Sequence, residues 1–310
     1  MKLHAAWRIA IVSAVLTLPP PAEAGGSSRG GTFILRGWDA RGQSLGGAAA
    51  LLVRDEAAVH YNPANLVFLD APRIGAGTMN PVPGLDARFN VLSFGGGLLD
   101  RRASRDGTAS VRRLAVAASF SHLGLELAGG SRWNEGSAGV AAAFSFNNYN
   151  FVGLGWRVLK SWTDLEEAGA WGSALDFGFT TRLTDRIWLA AVARDGWSTI
   201  HFPHRHETID PSFVLAGSFE RLFGRLSAEI DAVMRAGSLH GILCGAELIL
   251  LEEVLAIQGG IDVRNTDYER MIPWFGVSAG YGGAAVSLAF GFDPDDAFGR
   301  QTRVSAGYGF

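Results

Sequence analysis

Three histidines between positions 201 and 206 are the side chains whose type and spacing come closest to a metal site. The stretch "HFPHRHETID" contains His201, His204, His206 and Glu207, and imidazole and carboxylate groups are common Zn²⁺ ligands. No second set of ligands accompanies them, and Pro203 interrupts regular backbone geometry. We interpret the stretch as a solvated outer loop, with metal binding or pH sensing as the alternative.

A second candidate is the acidic stretch "FDPDDAFG", which contains Asp293, Asp295 and Asp296. Oxygen-rich loops can bind Ca²⁺, but the spacing here is not that of an EF-hand. We therefore interpret this stretch as a polar outer turn. The sequence predicts no metal site and no cofactor.

Nucleophilic catalysis would need a hydroxyl or thiol beside a histidine. His122 lies on a predicted strand, but its neighbour Ser121 points to the opposite face, because strand side chains alternate. The sequence contains no G-x-S-x-G, no H-E-x-x-H and no phosphate-binding loop. It predicts a protein that is not an enzyme.

The composition argues against a nucleic acid partner and against an internal disulfide bond. The formal net charge is −3 and no basic block is present, so a nucleic acid partner is not expected. Cys244 is the single cysteine, so an exported form of this protein cannot contain an internal disulfide. Cys244 falls in an alternating apolar run, and we expect it to be buried or to face lipid without a chemical role.

Residues 1–24 resemble a secretory signal peptide in their arrangement. Lys2 and Arg8 give a positive start, residues 9–18 are apolar, and Ala22-Glu23-Ala24 forms an A-x-A cleavage site. A short buried helix is the alternative. We expect the mature chain to begin at Gly25, and no later run of about 20 apolar residues predicts a membrane-spanning helix.

Strand-length segments with period-two alternation follow from residue 72 onward. They are longer than the usual strand of about 5–6 residues and match the length of about 9–11 residues that crosses a bilayer at a tilt. An even number of strands is expected for a single-chain bacterial barrel. The sequence thus predicts an all-β protein, a transmembrane antiparallel β-barrel of about 14 strands, with a soluble secreted β-rich domain as the alternative. The predicted strands are 72–82, 86–97, 110–122, 136–147, 150–161, 171–182, 185–195, 211–221, 225–235, 241–250, 253–264, 273–281, 284–292 and 300–310.

One face of these segments is rich in Gly, Ser and charged residues, which suits a narrow, filled lumen. We expect a polar lumen network of Arg113, Arg157, Asp176, Arg182, Glu229, Asp231, Arg235, Asp262, Arg264 and Arg303. Small or apolar residues on the same face should also line the lumen, namely Ala115, Ala117, Ala141, Ala143, Val254 and Ala256.

Connection lengths agree with a barrel whose turns are short on the periplasmic side and longer on the outer side. Two connections do not fit this alternation. The connection at 98–110 is too long for the periplasmic side, and the one at 236–240 is too short for the outer side. A wrong strand boundary or pairing near them is therefore left open.

The chain ends on the alternating stretch "RVSAGYGF", with Phe310 as the last residue. This resembles the closing strand of bacterial outer-membrane barrels. In that family a terminal aromatic residue is recognised by the barrel-insertion machinery, so the resemblance implies that Phe310 is an insertion signal and that this machinery is a partner.

Residues 25–71 do not alternate, and a motif within them carries a second resemblance. The stretch "ARGQSLGGAAALLVRDEAAVHYNPANLVFLD" resembles the N-terminal motif of the FadL superfamily, and more closely that of the PorV/PorQ family of outer-membrane barrels. This sequence departs from the motif at Ser44, Leu45, His60 and Asn65. The expected residue at 65 is glycine, and asparagine tolerates the left-handed conformation, so we expect Asn65 to preserve a left-handed turn. The matching residues are Ala40, Arg41, Gly46, Gly47, Ala48, Asp55, Ala58, Asn62, Pro63, Ala64 and Leu66.

The resemblance implies that residues 25–71 fold inside the barrel of residues 72–310 as a hatch. Arg41, Arg54, Asp55 and Glu56 would then pair with charges of the lumen, and a disordered leader is the alternative. The resemblance also implies a conformational or gating role for the matching residues Gly46, Gly47, Asp55, Asn62, Pro63 and Ala64, and for Asn65.

The resemblance implies a location in the outer membrane of a Gram-negative bacterium, in contact with its lipid. The first functional hypothesis is a FadL-type barrel that passes or binds small hydrophobic molecules through a hatch-gated lumen. The alternative is a PorV-like accessory barrel that assists protein secretion or surface attachment. In that case secretion-system components would contact the outer loops at 162–170, 196–210 and 265–272.

Overall fold

The computed structural model describes the chain in ten stretches, which exclude the predicted signal peptide and residues 25–38. The acidic stretch 293–299 also lies outside the described residues. These stretches are 39–81, 86–103, 110–126, 130–164, 169–204, 206–235, 237–251, 254–265, 269–292 and 300–310.

Within these stretches the chain forms one antiparallel β-sheet. Its strands are β1 (Arg73–Met79), β2 (Ala87–Ala103), β3 (Ser110–Glu126), β4 (Arg132–Ser145), β5 (Asn150–Thr163), β6 (Ala170–Arg182), β7 (Ile187–His201), β8 (His206–Glu207), β9 (Ser212–Leu222), β10 (Leu226–Arg235), β11 (Ser238–Leu251), β12 (Leu255–Asn265), β13 (Glu269–Tyr281), β14 (Ala284–Phe292) and β15 (Arg300–Gly309).

The sheet closes into a barrel of 14 strands. Each strand pairs with its neighbours in sequence, β7 pairs with both β6 and β9, and β1 pairs with β15 along the register Arg73↔Gly309 to Met79↔Arg303. The short strand β8 lies outside this cycle and pairs only with the end of β7. The predicted antiparallel barrel and its 14 strands are confirmed.

Two predicted connections did not fit the alternation of short and long loops. At both of them the predicted strand ends are wrong, whereas the predicted pairing of the strands is correct. β2 continues to Ala103 and β3 begins at Ser110, so most of the expected loop at 98–110 is a hairpin in which Asp100 pairs with Arg113. On the other side, Arg235 pairs with Ser238 across a tight turn, and Gly237 adopts a φ of 77° there. Sequence alternation weakens near both turns, which is why the strand ends were misplaced.

The barrel wall is apolar outside and polar or small inside. On β5, Leu154, Trp156 and Val158 are exposed, whereas Gly155 and Arg157 between them are buried. This is the reverse of a water-soluble domain, and it is the pattern of a barrel surrounded by lipid. The exposed belt includes Ile74, Leu92, Phe94, Phe120, Val140, Leu154, Trp156, Phe177, Phe219, Ile230, Ile242, Ile257, Ile261, Phe275, Val286, Phe290, Val304 and Tyr308.

Two individual residues complete the description of the wall. Cys244 pairs with Ile230 and Ile261, which are exposed on the belt, so it lies on the lipid side. The assignment of Val254 to the lumen is wrong, because this side chain is exposed in the turn before β12. Among the described residues no helix is long and apolar enough to cross a membrane, a finding that concerns helices alone.

Residues 39–71, here called the lumen segment, precede β1. They contain helix α1 (Ala40–Ser44), helix α2 (Ala58–Tyr61) and a 3₁₀ helix (Pro63–Phe68). Asp39 begins α1 by accepting a hydrogen bond from Gly42 N, and Asn62 caps the 3₁₀ helix in the same way from Ala64 N. Pro63 occupies the first helical position, where its missing N–H has no cost.

The lumen segment contacts strands on opposite sides of the barrel and is largely buried between them. α1 packs against β12 to β15, and the 3₁₀ helix packs against β2 to β6. Ala49, Ala50 and Leu51 in between are fully buried. The predicted lumen residues Ala115, Ala117, Ala141 and Ala143 join the same apolar cluster as Ala64 and Leu66 of the segment.

A charged substitution on the belt should destabilise the barrel. Leu154→Arg, on the outer face of β5, should lower the free energy of unfolding by about 2–4 kcal/mol, because the guanidinium would face the hydrocarbon of the bilayer. Urea titration in lipid vesicles, followed by tryptophan fluorescence, measures this. The control is Leu183→Arg in the turn after β6, where the exposed side chain should change stability by no more than about 0.5 kcal/mol. Equal losses in both variants would contradict a lipid-facing belt.

Candidate functional site

Two buried asparagines hold the lumen segment together and attach it to the wall. The Asn62 amide donates hydrogen bonds to Ala50 O and to Thr180 Oγ1, both at 2.8 Å. The Asn65 amide donates to Ala50 O at 2.9 Å and to Val53 O at 3.0 Å, while its oxygen accepts from Thr180 Oγ1 at 2.9 Å. Carbonyl groups inside the segment and one hydroxyl of β6 are therefore satisfied by the same pair of side chains.

The expected left-handed conformation of Asn65 is wrong. Asn65 lies within the 3₁₀ helix and does not adopt a positive φ, so it does not replace a left-handed glycine. The side chain explains its presence instead, because its amide group bonds the carbonyls of residues 50 and 53. A glycine at this position would leave those buried groups without this donor.

The Asn62-Pro63 turn rests directly on two glycines of the wall. A Cβ added to Gly153 on β5 would clash with the backbone of Pro63 and Ala64, and one added to Gly178 on β6 would clash with the Asn62 amide oxygen. Backbone and buried polar atoms cannot move aside as a flexible side chain can. These two positions therefore require glycine if the segment is to sit as observed.

A second group of wall glycines receives the other end of the segment. Leu45 and Gly46 contact Gly245 on β11 and Gly260 on β12 so closely that a Cβ on either glycine would overlap them. Gly46 and Gly47 have φ values of 67° and 80°, which favour glycine. Gly46 and Gly47 thus give the chain that follows α1 a backbone conformation that other residues rarely adopt.

Two predicted lumen carboxylates bond the backbone between these contact points. Glu229 accepts hydrogen bonds from Leu51 N at 2.7 Å and Leu52 N at 2.8 Å. Asp231, on the same strand, accepts one from Ala49 N at 3.3 Å. All of these groups are buried, so the carboxylates satisfy amides that no regular secondary structure would satisfy.

Ion pairs fix the end of the segment that lies toward the short turns. Arg41 binds Glu247 through two hydrogen bonds of 2.8 and 2.9 Å, Arg54 pairs with Glu220, and Glu56 with Arg73 at 3.0 Å. The segment charges were predicted to pair with the lumen, but these acidic partners were not among the predicted residues. Asp55 accepts from Ala57 N at 3.0 Å and lies 3.6 Å from Arg41.

A network on the long-connection side contains two more of the predicted residues. Arg157 contacts Asp176 at 3.1 Å and Asp195 at 2.5 Å, and Asp195 N donates to Asp176 at 2.8 Å. Asp195 adopts a φ of 54°, where the register between β6 and β7 shifts. The neighbouring Arg194 donates to Tyr61 O at 2.9 Å. Strict alternation could not place both Arg194 and Asp195 inward, so the sequence missed them.

His60 occupies the position where the family motif has an aromatic residue. Burial and the positive charge of Arg157 lower the pKa of His60 to about 3, so the imidazole is neutral at physiological pH. It can therefore lie beside the Arg157 network without adding a positive charge.

The remaining predicted residues are placed individually. Arg113 donates to Asp70 at 3.0 Å, Arg182 lies over Trp188, Arg303 lies over Trp274, and Asp262 is buried. Arg235 is half-buried at the end of β10, whereas the side chain of Arg264 is outside the described residues. Phe310 is exposed, and its backbone N–H donates to Pro72 O at 2.9 Å.

The histidine stretch forms part of the β7–β8 hairpin. His201 Nδ1 lies 2.7 Å from His206 Nδ1, and the His201 ring stacks on Trp171 with centroids 4.4 Å apart. In the stretches that the structure describes, no group of three or more His, Cys, Asp or Glu side chains is arranged to hold a metal ion.

Comparison with known proteins shows the fold. No protein-family model and no curated protein matches the chain. Among solved structures, the CymD monoaromatic hydrocarbon channel has a TM-score of 0.62 and 14% identity, covering 89% of this chain and 98% of that one. The deltaS2S3 mutant of the TodX monoaromatic hydrocarbon channel has a TM-score of 0.55 and 13% identity, covering 88% and 99%. The chain shares the barrel fold of these channels, and the closer resemblance to PorV/PorQ stays a prediction.

Because Gly153 contacts the Asn62-Pro63 turn so closely, a larger residue at this position should loosen the lumen segment. Gly153→Ala should overpack the Asn62-Pro63 turn at a cost of about 1–3 kcal/mol, so hydrogen exchange of residues 49–66 should accelerate about tenfold. Gly155→Ala is the matched control on the same strand and face, because its Cβ would meet Asp176 at an ordinary 3.5 Å. Exchange that is equally fast in both variants would show that the close contact does not hold the segment.

The hydroxyl of Thr180 is predicted to be essential for the asparagine pair. Thr180→Val removes the acceptor for Asn62 and the donor to Asn65, and leaving buried polar groups unsatisfied costs about 1–3 kcal/mol. Hydrogen exchange at residues 50–53 should increase accordingly. Thr180→Ser keeps the hydroxyl and should restore protection, and a failure of serine to do so would point to packing of the methyl group instead.

Proposed function

We propose that this protein is a barrel of the outer membrane of a Gram-negative bacterium that binds or passes small hydrophobic molecules, with the lumen segment as its hatch. The observation that carries the proposal is that the segment fills the interior of a lipid-facing barrel through specific contacts at both of its ends. The fold supports it too, since the two solved channels named above are described as monoaromatic hydrocarbon channels.

An apolar cluster within the barrel supports a hydrophobic ligand. It lies on the long-connection side of the lumen segment, in a lumen that otherwise carries many charged side chains. Part of the connection between β8 and β9 contributes to it, because Ile209 is fixed by two hydrogen bonds to Ser198 Oγ, at 2.8 and 2.9 Å. The cluster consists of Met79, Phe89, Val91, Leu123, Leu159, Ala170, Ala174, Ile200 and Ile209, with Phe202 against it.

If the hatch moves, the contacts between the lumen segment and the wall that are easiest to break should open first. Arg41 and Arg54 keep about a quarter of their side-chain surface exposed, so water can reach these guanidinium groups when their ion pairs separate. The buried hydrogen bonds of Asn62, Asn65 and Glu229 resist opening more strongly, because their groups are costly to leave unpaired. Movement would therefore begin at the α1 end of the segment.

A disulfide across the α1 contact tests the hatch. Ala40 N lies 3.1 Å from Ser305 Oγ, so Ala40→Cys with Ser305→Cys, in a Cys244→Ser background, should link the segment to β15. Uptake of N-phenyl-1-naphthylamine into proteoliposomes should fall at least tenfold when the pair is oxidised and recover with reductant. The single-cysteine variants are the controls.

Equal uptake by the oxidised and reduced forms would contradict a hatch that moves at this end. Mass spectrometry of whatever accompanies the native protein discriminates the proposal from the secretion-accessory alternative. Co-purified lipophilic small molecules would support passage, whereas a co-purified secretion component would support the accessory role.

A further inference from the structure

The outer wall of the barrel carries a group of polar and aromatic side chains toward the long-connection end. They lie on β2 to β5 and belong to the outward face, because each is an even number of residues from an exposed apolar residue on its own strand. On β3, for example, His122 follows the exposed Phe120 by two positions. The outer patch, as we call this group, consists of Arg88, His122, Asn134, Lys160 and Trp162.

Two outward-facing glycines leave room for these side chains to lie against the wall. A Cβ added to Gly136 on β4 would lie 3.4 Å from two atoms of the Trp162 ring, so the indole covers the backbone there. Gly124 on β3 lies between Arg88 on β2 and Asn134 on β4 in the register of the sheet. The floor of the outer patch is therefore backbone, and side chains form its rim.

Contacts among these side chains hold the outer patch in shape. The His122 ring stacks on Trp162 with centroids 5.6 Å apart and an interplanar angle of 29°. His122 Nε2 lies 3.2 Å from Asn134 Oδ1, and Lys160 Nζ lies 5.9 Å from the centroid of the Trp162 ring. The indole remains partly exposed, at 38%, so the patch presents a preformed aromatic surface beside a cation.

The two cations of the outer patch lie on either side of the stacked rings. Arg88 is on β2 and Lys160 on β5, which are three strand spacings or about 14 Å apart. The acidic residues of this edge lie further from the belt, with Asp86 before β2, Glu126 at the last position of β3 and Asp164 after β5. Positive charge is therefore nearest the boundary between the belt and the headgroups of the surrounding lipid.

The opposite half of the barrel has a different surface at the same end. On β11 to β14, the large exposed side chains that the structure describes there are apolar. An aromatic girdle that only anchors a barrel in the bilayer would surround it on all sides. The restriction of the outer patch to β2 to β5 thus indicates a site for a particular headgroup. The apolar side chains of the opposite half are Leu239, Ile242, Val263, Met271 and Phe292.

We propose that the outer patch binds an outer-leaflet glycolipid whose headgroup is a disaccharide with two phosphates. One phosphate contacts Arg88 and the other Lys160, since guanidinium and ammonium groups both bind phosphate. The sugar lies on the rings of His122 and Trp162, because the negative face of an aromatic ring attracts polarised C–H groups. The acyl chains lie along the adjoining belt at Leu92 and Phe120, which favours a lipid over a soluble anion.

This inference goes beyond the proposed function. It uses the proposed location in the outer membrane, but neither the hatch nor the lumen takes part in it. Lipid binding and the uptake of N-phenyl-1-naphthylamine can therefore be measured separately. Loss of the first with normal uptake would overturn the lipid site and leave the hatch proposal intact.

Native mass spectrometry of the detergent-purified protein, titrated with three lipids, tests the site. Bisphosphorylated lipid A should bind at least tenfold more tightly than monophosphorylated lipid A and than phosphatidylglycerol, which has a phosphate but no sugar. Arg88→Gln and Lys160→Gln should each weaken bisphosphorylated lipid A at least fivefold. Arg186→Gln is the matched control, because it removes an equal charge from an exposed position of the short turn after β6, and it should leave the affinity unchanged.

Two further variants separate recognition from misfolding. Lys160→Arg keeps the positive charge and should retain binding within about twofold of the wild type. Trp162→Leu keeps both cations but removes the stacking surface, so it should weaken lipid A at least fivefold and leave phosphatidylglycerol unchanged. The proposal is overturned if the wild type binds all three lipids equally, if Arg186→Gln weakens lipid A as much as Lys160→Gln, or if Trp162→Leu has no effect.

Discussion

The structure depends on satisfying the backbone of a chain that is buried without regular secondary structure. Between α1 and α2 the lumen segment has amide and carbonyl groups that lack helical or strand partners, and each would be costly if left unpaired. Glu229 and Asp231 accept from the amides of residues 49, 51 and 52, while Asn62 and Asn65 donate to the carbonyls of residues 50 and 53. The polar lumen therefore serves the segment as water would serve an exposed loop.

Glycines in the wall complement these polar contacts. A segment as wide as a helix fits a 14-strand barrel only where the wall side chains are small, and Gly153, Gly178, Gly245 and Gly260 provide such places. The polar contacts fix the position of the segment along the wall, and the glycines determine how closely the segment approaches the wall. Together they explain why a chain rich in glycine and alanine has a well-packed interior.

The sequence predicted the barrel because strand periodicity repeats independently in every segment, so an error at one boundary does not affect the others. The family motif drew attention to Asn62 and Asn65, but it could not reveal their partners, since Thr180 and Ala50 are distant in sequence. Glu220 and Glu247 were missed because nothing in their own strands distinguishes them from other polar residues. Asp195 was missed because a shift in register reverses the alternation that the prediction relies on. Loop sequences at 98–110 carried too weak a pattern to show that the strands continue.

The pairing of β1 with β15 has a consequence for the order of assembly. These are the first and last strands, so the cylinder cannot be sealed until the final residues of the chain are in place. The lumen segment lies immediately before β1, and its partners are spread over the wall from β1 to β15. It must therefore be enclosed as the wall is built around it. Because the seam between β1 and β15 lies beside residues 39–71, this segment can act as a template for the strands that assemble around it.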